Sequence, residues 1–160
     1  MDYRVGIGYD IHRLVYRRKF ILGGIEIPYK KGLLGHSDGD VLLHAVGDAL
    51  LGGINKADLG EHFPDNHPRY KDIASSKLLL EIKKWVKKEG FRIVNLDTVI
   101  IAQEPKLSAF KDKIRKGIAC LLGIPYNRIN IKAKTNEGLD ALGRKQAIAC
   151  WAVVLLKRKD

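Results

Sequence analysis

The sequence contains only two cysteines, Cys120 and Cys150, among 160 residues. Both lie in apolar segments, where unreactive thiols of a reducing compartment are usually found, so a secreted disulfide framework is not expected. Long hydrophobic runs are also missing, because the longest uncharged apolar stretch, 147–156, is about half the ~20 residues that a membrane helix requires. The opening residues lack the pattern of a signal peptide. We therefore expect a cytoplasmic protein without a membrane span.

Low-complexity segments, internal repeats and Pro- or Ser-rich linkers are absent from the sequence, so nothing divides it into domains. Apolar residues make up 46% and charged residues 29%, which is typical of a folded globular chain. A chain of this length buries about 70% of the surface that its unfolded form exposes. We expect a single domain over residues 1–160.

Acidic residues are too few to balance the basic ones. The 29 Lys and Arg exceed the 18 Asp and Glu and leave a formal net charge of +11 with His neutral. Such a surplus attracts anions, and nucleic acid, anionic lipid and a phosphorylated metabolite all qualify. Charge alone does not distinguish among these three classes of partner.

Several common catalytic and nucleotide-binding motifs are missing. Gly6 and Gly8 lack the third glycine of a dinucleotide-binding loop, and we expect them to let another backbone approach a strand closely. Residues 138–145 resemble a P-loop, but Gln146 stands where Ser or Thr would bind magnesium. A Gly-x-Ser-x-Gly elbow is absent and neither cysteine has a His near it in sequence, so a protein nucleophile is not expected.

The spacing of apolar residues predicts an α+β protein with strands near both ends and helices in the middle. Strands are expected at 3–9, 20–28, 92–103, 129–135 and 147–156, and loops at 64–70 and 136–143. Helices are expected from an Asp38 cap to Gly53, from about 72 to 90, and from about 106 to 122. This order favours a mixed sheet with antiparallel pairs, backed by helices on one face, over a doubly wound parallel sheet.

Three side chains have the composition of an open metal site. Asp10 and His12 are two residues apart on a predicted strand, so their side chains project from the same face. With His44 on the next predicted helix, they match the ligand set of a catalytic zinc ion. Asp40 or Asp48 could hold the second ring nitrogen of His44, and the spacing does not decide between them. Spacing alone favours the simpler alternative, in which these histidines share no partner.

The segment before that helix has a second interpretation besides capping. His36 and Ser37 could present donors to a phosphate at the N-terminus of the helix. Ordinary helix capping explains Ser37 and Asp38 nearly as well. The basic run 111–116 follows helical spacing, and we expect it to be a solvated helix face and not a nucleic-acid surface.

Taken together, short motifs along nearly the whole chain resemble those of the 2-C-methyl-D-erythritol 2,4-cyclodiphosphate synthase family. In order they are Gly-Tyr-Asp10-Ile-His12-Arg, Gly-His36-Ser37-Asp-Gly-Asp, His44-Ala-x-x-Asp48-Ala-Leu-Leu-Gly, Asp58-Leu-Gly60, Phe63-Pro64-Asp65, Ile101-Ala102-Gln103-x-Pro105-Lys106, Lys132-Ala133-x-Thr135-Asn136-Glu137, Gly143-Arg144 and Ala147-Ile148-Ala149-Cys150. The resemblance implies a homotrimeric lyase of the non-mevalonate isoprenoid route, with active sites between neighbouring subunits. Its substrate would be 4-(cytidine 5'-diphospho)-2-C-methyl-D-erythritol 2-phosphate, which the family converts into the cyclic diphosphate and CMP.

The resemblance also implies roles for individual residues. Asp10, His12 and His44 would bind zinc. Glu137 would bind a magnesium or manganese ion that bridges the substrate diphosphate. His36 and Thr135 would contact the transition state. The implied substrate contacts are Asp10, His12, His36, Ser37, Asp58, Gly60, Phe63, Pro64, Asp65, Asn66, His67, Ala102, Gln103, Glu104, Pro105, Lys106, Leu107, Ser108, Lys134, Thr135, Asn136, Glu137, Ala141 and Arg144.

Of these contacts, residues 102–108 and 134–137 would come from another subunit. Arg144 would face a central channel that can hold an isoprenoid diphosphate. The chain departs from the family pattern at Asn66 and His67, where Thr or Ser followed by Asp is usual, and at Ala141 and Leu142, where an aromatic residue and Thr are frequent.

Two other functions stand as alternatives to this expectation. A metal phosphoesterase would hydrolyse a nucleotide diphosphate and consume water, whereas cyclisation does not. A small nucleic-acid binder would explain the net charge, but the sequence has no platform of interleaved basic and aromatic residues. We rank the nucleic-acid binder last.

Overall fold

The structure is a computed structural model that describes residues 2–159. Its main sheet contains β1 (Tyr3–Tyr16), β4 (Lys31–Leu33), β5 (Phe91–Ile101), β6 (Ile129–Lys134) and β7 (Ala147–Arg158), in the spatial order β4-β1-β7-β5-β6. Only β5 and β6 are parallel neighbours in this sheet; the other neighbours are antiparallel. A separate hairpin pairs β2 (Phe20–Leu22) with β3 (Ile25–Ile27). The expected mixed sheet is confirmed.

The helices are α1 (Val41–Gly53), α2 (Leu59–His62), α3 (Ser75–Lys88), α4 (Lys111–Leu122) and α5 (Asp140–Gly143). Short 3-10 turns occupy Pro68–Tyr70 and Tyr126–Arg128. Within residues 2–159, no helix combines the length and the apolar character needed to cross a bilayer. The three long helices were predicted, whereas the one-turn helices α2 and α5 were not.

Side chains alternate between the two faces of β1, because successive residues of a strand point to opposite sides. The even-numbered positions from Arg4 to His12 face α1 and are buried or half-buried. The odd-numbered positions point away from the helices. Together with two residues of β7 they form an apolar surface, here called the uncovered face, whose members are 41–67% exposed: Tyr3, Val5, Ile7, Tyr9, Ile11, Trp151 and Val153.

Helix α1 lies directly on β1, backbone against backbone. A Cβ atom on Gly6 would lie 1.8 Å from the carbonyl oxygen of Ala49, and one on Gly8 would lie 2.0 Å from that of Ala45. The expectation that both glycines allow a close backbone approach is confirmed. Ten of the 13 residues of α1 are buried, as in a helix that is surrounded by apolar neighbours on nearly every side.

Asp40, and not the predicted Asp38, caps α1. One carboxylate oxygen of Asp40 accepts hydrogen bonds from the backbone N–H groups of Leu43 and Gly23, and the other accepts from Gly24. Burial raises the pKa of Asp40, although these three N–H groups oppose the shift. The cap therefore also holds the turn of the β2–β3 hairpin against the start of α1.

That turn is why the predicted single strand 20–28 is wrong. Gly23 and Gly24 adopt positive φ angles of 64° and 77°, a region that glycine occupies without steric cost. The chain reverses there and forms two short strands. Helix α4 also begins later than predicted, because the backbone N–H groups of Phe110 and Lys111 both donate to the carbonyl of Leu107 and form a tight turn.

The two cysteines differ in environment. Cys150 is buried in β7, and burial raises the pKa of its thiol. Cys120 is exposed on α4, so its apolar sequence neighbourhood was a misleading indication of burial. The two thiols form no disulfide bond.

We expect Gly8→Ala to destabilise the protein by about 1–3 kcal/mol, because the new methyl group overlaps the Ala45 carbonyl and forces α1 off the sheet. Gly52→Ala is the matched control, since a Cβ atom at this exposed position of α1 would lie 3.8 Å from its nearest neighbour, the Ile7 carbonyl oxygen. Its stability should change by less than about 1 kcal/mol. Urea unfolding followed by circular dichroism measures both, and equal losses would contradict the close-contact interpretation.

Candidate metal centre

Three ligand atoms converge where β1 passes the first turn of α1. Asp10 Oδ2 lies 2.8 Å from His12 Nε2 and 3.0 Å from His44 Nδ1. The two nitrogens are 3.1 Å apart. Two ligands of a tetrahedral zinc ion lie about 3.3 Å apart, so this triangle fits such an ion within a few tenths of an ångström. The predicted set of Asp10, His12 and His44 is brought together as the sequence indicated.

The ring of His12 is oriented for this role by the backbone. Its Nδ1 lies 2.5 Å from the carbonyl oxygen of Leu34, which can only accept, so Nδ1 carries the proton. The lone pair of Nε2 then points at the Asp10 carboxylate. Electron pairs this close repel one another unless protons or a cation lie between them, which makes the triangle a suitable site for a metal ion.

The charges of the triangle are strongly coupled. Burial disfavours ionisation of Asp10, but the rings of His12 and His44, when they are protonated, donate hydrogen bonds and positive charge that outweigh burial and hold the pKa of this carboxyl well below its usual range. Burial likewise disfavours the charged ring of His12, yet the hydrogen bond and charge of Asp10 prevail and raise the pKa of His12. A metal ion must therefore compete with a proton at His12.

The expectation that Asp40 or Asp48 holds the second nitrogen of His44 is wrong. His44 Nε2 instead lies 2.8 Å from Ser75 Oγ and 3.1 Å from Ser37 Oγ. Asp40 is fully occupied as the cap of α1. Asp48 accepts from the backbone N–H of Leu59, and burial raises the pKa of Asp48.

A cavity of about 420 Å³ opens beside the triangle. Its lining includes eight of the predicted substrate contacts: His12, His36, Ser37, Gly60, Phe63, Pro64, Asp65 and Asn66. The Nε2 atom of His36 is buried and has no hydrogen-bond partner among the described residues. A ligand in this cavity would therefore find an unpaired polar atom at a residue predicted to contact the transition state.

Two predicted residues of the neighbouring loop do not line this cavity. Asp58 caps α2 by accepting the backbone N–H of Glu61. His67 uses its Nδ1 to accept the backbone N–H of Arg69 and caps the 3-10 turn there. Conversely, Gly35, Leu59, Tyr70 and Ile73 line the cavity and were not singled out as contacts, since nothing local in the sequence marks them.

A second cavity, of about 380 Å³, lies at the far edge of the sheet. Eight more predicted contacts line it: Ala102, Gln103, Pro105, Lys106, Leu107, Ser108, Lys134 and Thr135. Lys111 and Ala133 line it too and were missed. Its two loops are joined, because the side chain of Gln103 accepts the backbone N–H of Asn136.

The remaining predicted residues lie around this second cavity or near α5. Glu104 accepts from Tyr29 and from Lys145, and these contacts tie the loop to the rest of the chain. Glu137 accepts the hydroxyl proton of Thr135 at 2.7 Å. Ala141 and Arg144 lie in and directly after α5, and Arg144 is exposed.

The triangle and the second cavity are at the same level of the sheet but three strands apart. Asp10 pairs with Cys150, Cys150 with Ile100, and Ile100 with Ala133. Neighbouring strands are about 4.8 Å apart, so these rows are separated by about 14 Å. The two cavities share no lining residue.

Comparison with known proteins places this geometry in context. A sequence model described as the YgbB family matches residues 3–157. The chain is 52% identical over 156 residues to a protein of Geotalea uraniireducens, across 98% of this chain and 99% of the relative. It is 50% identical over 154 residues to one of Caldicellulosiruptor bescii, across 96% and 98% of the two chains. Both are named 2-C-methyl-D-erythritol 2,4-cyclodiphosphate synthase.

Solved structures are similar as well. The bifunctional IspDF of Campylobacter jejuni superposes with a TM-score of 0.96 at 39% identity, over 99% of this chain but 43% of that one. This chain therefore spans less than half of the bifunctional protein. The complex of Plasmodium falciparum IspF with CDP superposes with a TM-score of 0.87 at 36% identity, over 99% and 97% of the two chains.

We expect zinc at about 100 times its dissociation constant to stabilise the protein by about 2.7 kcal/mol, and so to raise its melting temperature by roughly 5–10 °C. His44→Ala should abolish this rise, because two ligands hold the ion poorly. His67→Ala is the control, since this histidine lies outside the triangle. A thermal-shift measurement with and without chelator tests both variants. If His67→Ala alone lost the zinc-dependent rise in melting temperature, the assignment of zinc to Asp10, His12 and His44 would be refuted.

Proposed function

The chain belongs to the YgbB family, and from that premise we propose that it is a zinc-dependent 2-C-methyl-D-erythritol 2,4-cyclodiphosphate synthase. In this lyase reaction the 2-phosphate of 4-(cytidine 5'-diphospho)-2-C-methyl-D-erythritol 2-phosphate attacks the β-phosphorus of the same molecule. The bond from the β-phosphorus to the oxygen of CMP breaks, and CMP leaves. The observation that carries the proposal is the Asp10, His12 and His44 triangle beside the cavity that His36 and Ser37 line.

The substrate supplies both reacting groups, so the main task of the protein is to hold them together. A phosphate monoester has a second pKa of about 6 and is largely dianionic near neutral pH, so it needs no general base. Correct orientation of groups within one molecule lowers a barrier by about 7–11 kcal/mol. The absence of a nucleophile motif in the sequence agrees with this chemistry.

Each cavity would hold one end of the substrate. In the first, Asp10, His12 and His44 would hold zinc, and His36 and Ser37 would contact phosphate oxygens. The zinc ion would supply Lewis-acid polarisation of these oxygens when bound. The loop 60–66 would enclose the erythritol part and exclude water.

The second cavity has the chemistry for the cytidine diphosphate end. Lys106, Lys111 and Lys134 line it and can neutralise a diphosphate. Two of the solved relatives are described as bound to CDP. We assign Thr135 a contact with the transition state, and Glu137 would hold a magnesium or manganese ion that neutralises charge on the diphosphate. The Thr135–Glu137 hydrogen bond keeps these two side chains together.

A complete site then requires a second copy of the chain, and we propose a homotrimer with active sites between subunits. The two cavities lie about 14 Å apart on one sheet and share no residue. The uncovered face supports assembly, because a contiguous apolar surface of this kind is usually buried by a partner. The isoprenoid diphosphate expected in a channel beside Arg144 stays a prediction.

The proposed location is the cytoplasm. A buried thiol at Cys150 and an exposed unpaired thiol at Cys120 suit a reducing compartment. The alternative activity, hydrolysis of a nucleotide diphosphate at the same metal site, predicts different products and is separated by the first experiment below.

With the cytidine substrate, zinc and magnesium in ¹⁸O-labelled water, we expect CMP and a cyclic diphosphate that both lack the label, because cyclisation consumes no water. A chelator should stop the reaction. His36→Ala should lower kcat by about a hundredfold while zinc binding persists, through loss of one polar contact to the transition state. Lys88→Gln, at the exposed end of α3, is the activity control. Labelled linear products, detected by mass spectrometry, would establish the phosphoesterase instead.

For the assembly, we expect the wild-type chain to sediment as a trimer and Ile7→Lys to sediment as a smaller species with little activity. The substitution places a charge on the uncovered face, where burial against another subunit would desolvate it. Leu80→Lys is the control, because Leu80 is an exposed apolar residue on α3, away from that face. A monomeric wild-type chain with full activity would overturn the two-subunit site.

A further inference from the structure

The outward nitrogen of His44 begins a part-buried chain of hydrogen bonds that the metal ligands themselves do not require. His44 Nε2 is 2.8 Å from Ser75 Oγ, and the same Oγ is 2.5 Å from Asp38 Oδ1. Ser75 is 1% exposed and is the first residue of α3. The imidazole of His44, the hydroxyl of Ser75 and the carboxylate of Asp38 are therefore joined by two consecutive hydrogen bonds.

The direction of the protons in this chain follows from the other contacts of Asp38. Its Oδ2 accepts the backbone N–H of Ser75 at 3.1 Å, and its Oδ1 accepts that of Asp40 at 3.2 Å. Both oxygens thus act as acceptors, so the single hydroxyl proton of Ser75 is donated to Asp38.

Having given its proton to Asp38, Ser75 can only accept from the ring. The proton between Ser75 and His44 must then belong to Nε2. A neutral imidazole has one N–H, so Nδ1 of His44 keeps its lone pair. That lone pair faces Asp10 and His12 inside the triangle, where a metal ligand is needed.

We propose that Ser75 and Asp38 are positioning residues that fix His44 as the Nε2–H tautomer and so prepare Nδ1 to bind the metal. Partners of this kind set the orientation and basicity of metal-bound histidines. The consequence for catalysis rests on the proposed function, whereas the tautomer and the metal affinity do not.

The backbone around this chain keeps it in place. The N–H of Asp38 donates to the carbonyl of Ile73, and the N–H of Asp72 donates to that of His36. These contacts join the segment before α1 to the segment before α3. Ser37 Oγ lies 3.1 Å from His44 Nε2 and is an alternative acceptor for the same N–H. It therefore limits how much zinc affinity the protein loses when the Ser75 hydroxyl is removed.

The test compares Ser75→Ala with Ser76→Ala, the neighbouring half-buried serine at the start of the same helix. Competition against a chromogenic chelator measures zinc affinity without substrate. We expect Ser75→Ala to bind zinc about tenfold more weakly and Ser76→Ala to bind it as the wild type does. Because the readout is zinc alone, an inactive enzyme that still shows this difference would overturn the proposed function and leave this proposal standing.

A second measurement begins with the wild-type protein, so its first result does not depend on a variant. Two-bond ¹H–¹⁵N spectra of the metal-free wild-type protein at alkaline pH should show the Nε2–H tautomer of His44. Ser75→Ala should shift the ring toward the Nδ1–H form, in which Nδ1 donates to Asp10. A wild-type ring in the Nδ1–H form, or a folded Ser75→Ala variant with unchanged zinc affinity, would overturn the proposal.

Discussion

The contact between the backbones of α1 and β1 is the constraint on which the rest of the structure depends. Gly6 and Gly8 let the helix carbonyls touch the strand. The two contacts are two residues apart on the strand, about 6.7 Å, and four residues apart on the helix, about 6.0 Å, so the two elements stay in step over this length. His44, one residue before Ala45 on α1, then reaches the side chain of Asp10, the next even-numbered residue of β1. The spacing of the metal ligands is thus determined by two rigid elements and not by loops.

The two faces of strand β1 have different roles. Its even-numbered positions touch α1 and include Asp10 and His12, while its odd-numbered positions form most of the uncovered face. A register shift of one residue would exchange the two sets, because side chains alternate along a strand. The metal centre and the proposed subunit interface therefore depend on the same pairing of β1 with β7, and neither can be displaced without the other.

Charge is divided between the two cavities. Among the described residues that line the first cavity there is no Lys or Arg, whereas three lysines line the second. The net charge of +11 therefore does not explain how phosphates would be held beside the triangle. A metal ion held by the triangle would supply that positive charge. Two carboxylates of the preceding segment, Asp38 and Asp40, accept backbone N–H groups and order the segment.

Local periodicity was enough to predict the α+β class, the long elements and the close approach at Gly6 and Gly8, because these follow from the repeats of a strand and a helix. It made Asp10, His12 and His44 candidate ligands, and the family resemblance was needed to prefer them to histidines without a shared partner. The hydrogen-bond partner of His44 could not be predicted in this way. Ser75 stands on a different helix, and Asp40 caps α1 because a distant hairpin turn offers it two further N–H groups. The hydrogen-bond partner of each of these polar groups lies on an element far away in sequence. Only the tertiary structure decides which elements meet, and so which partners are available.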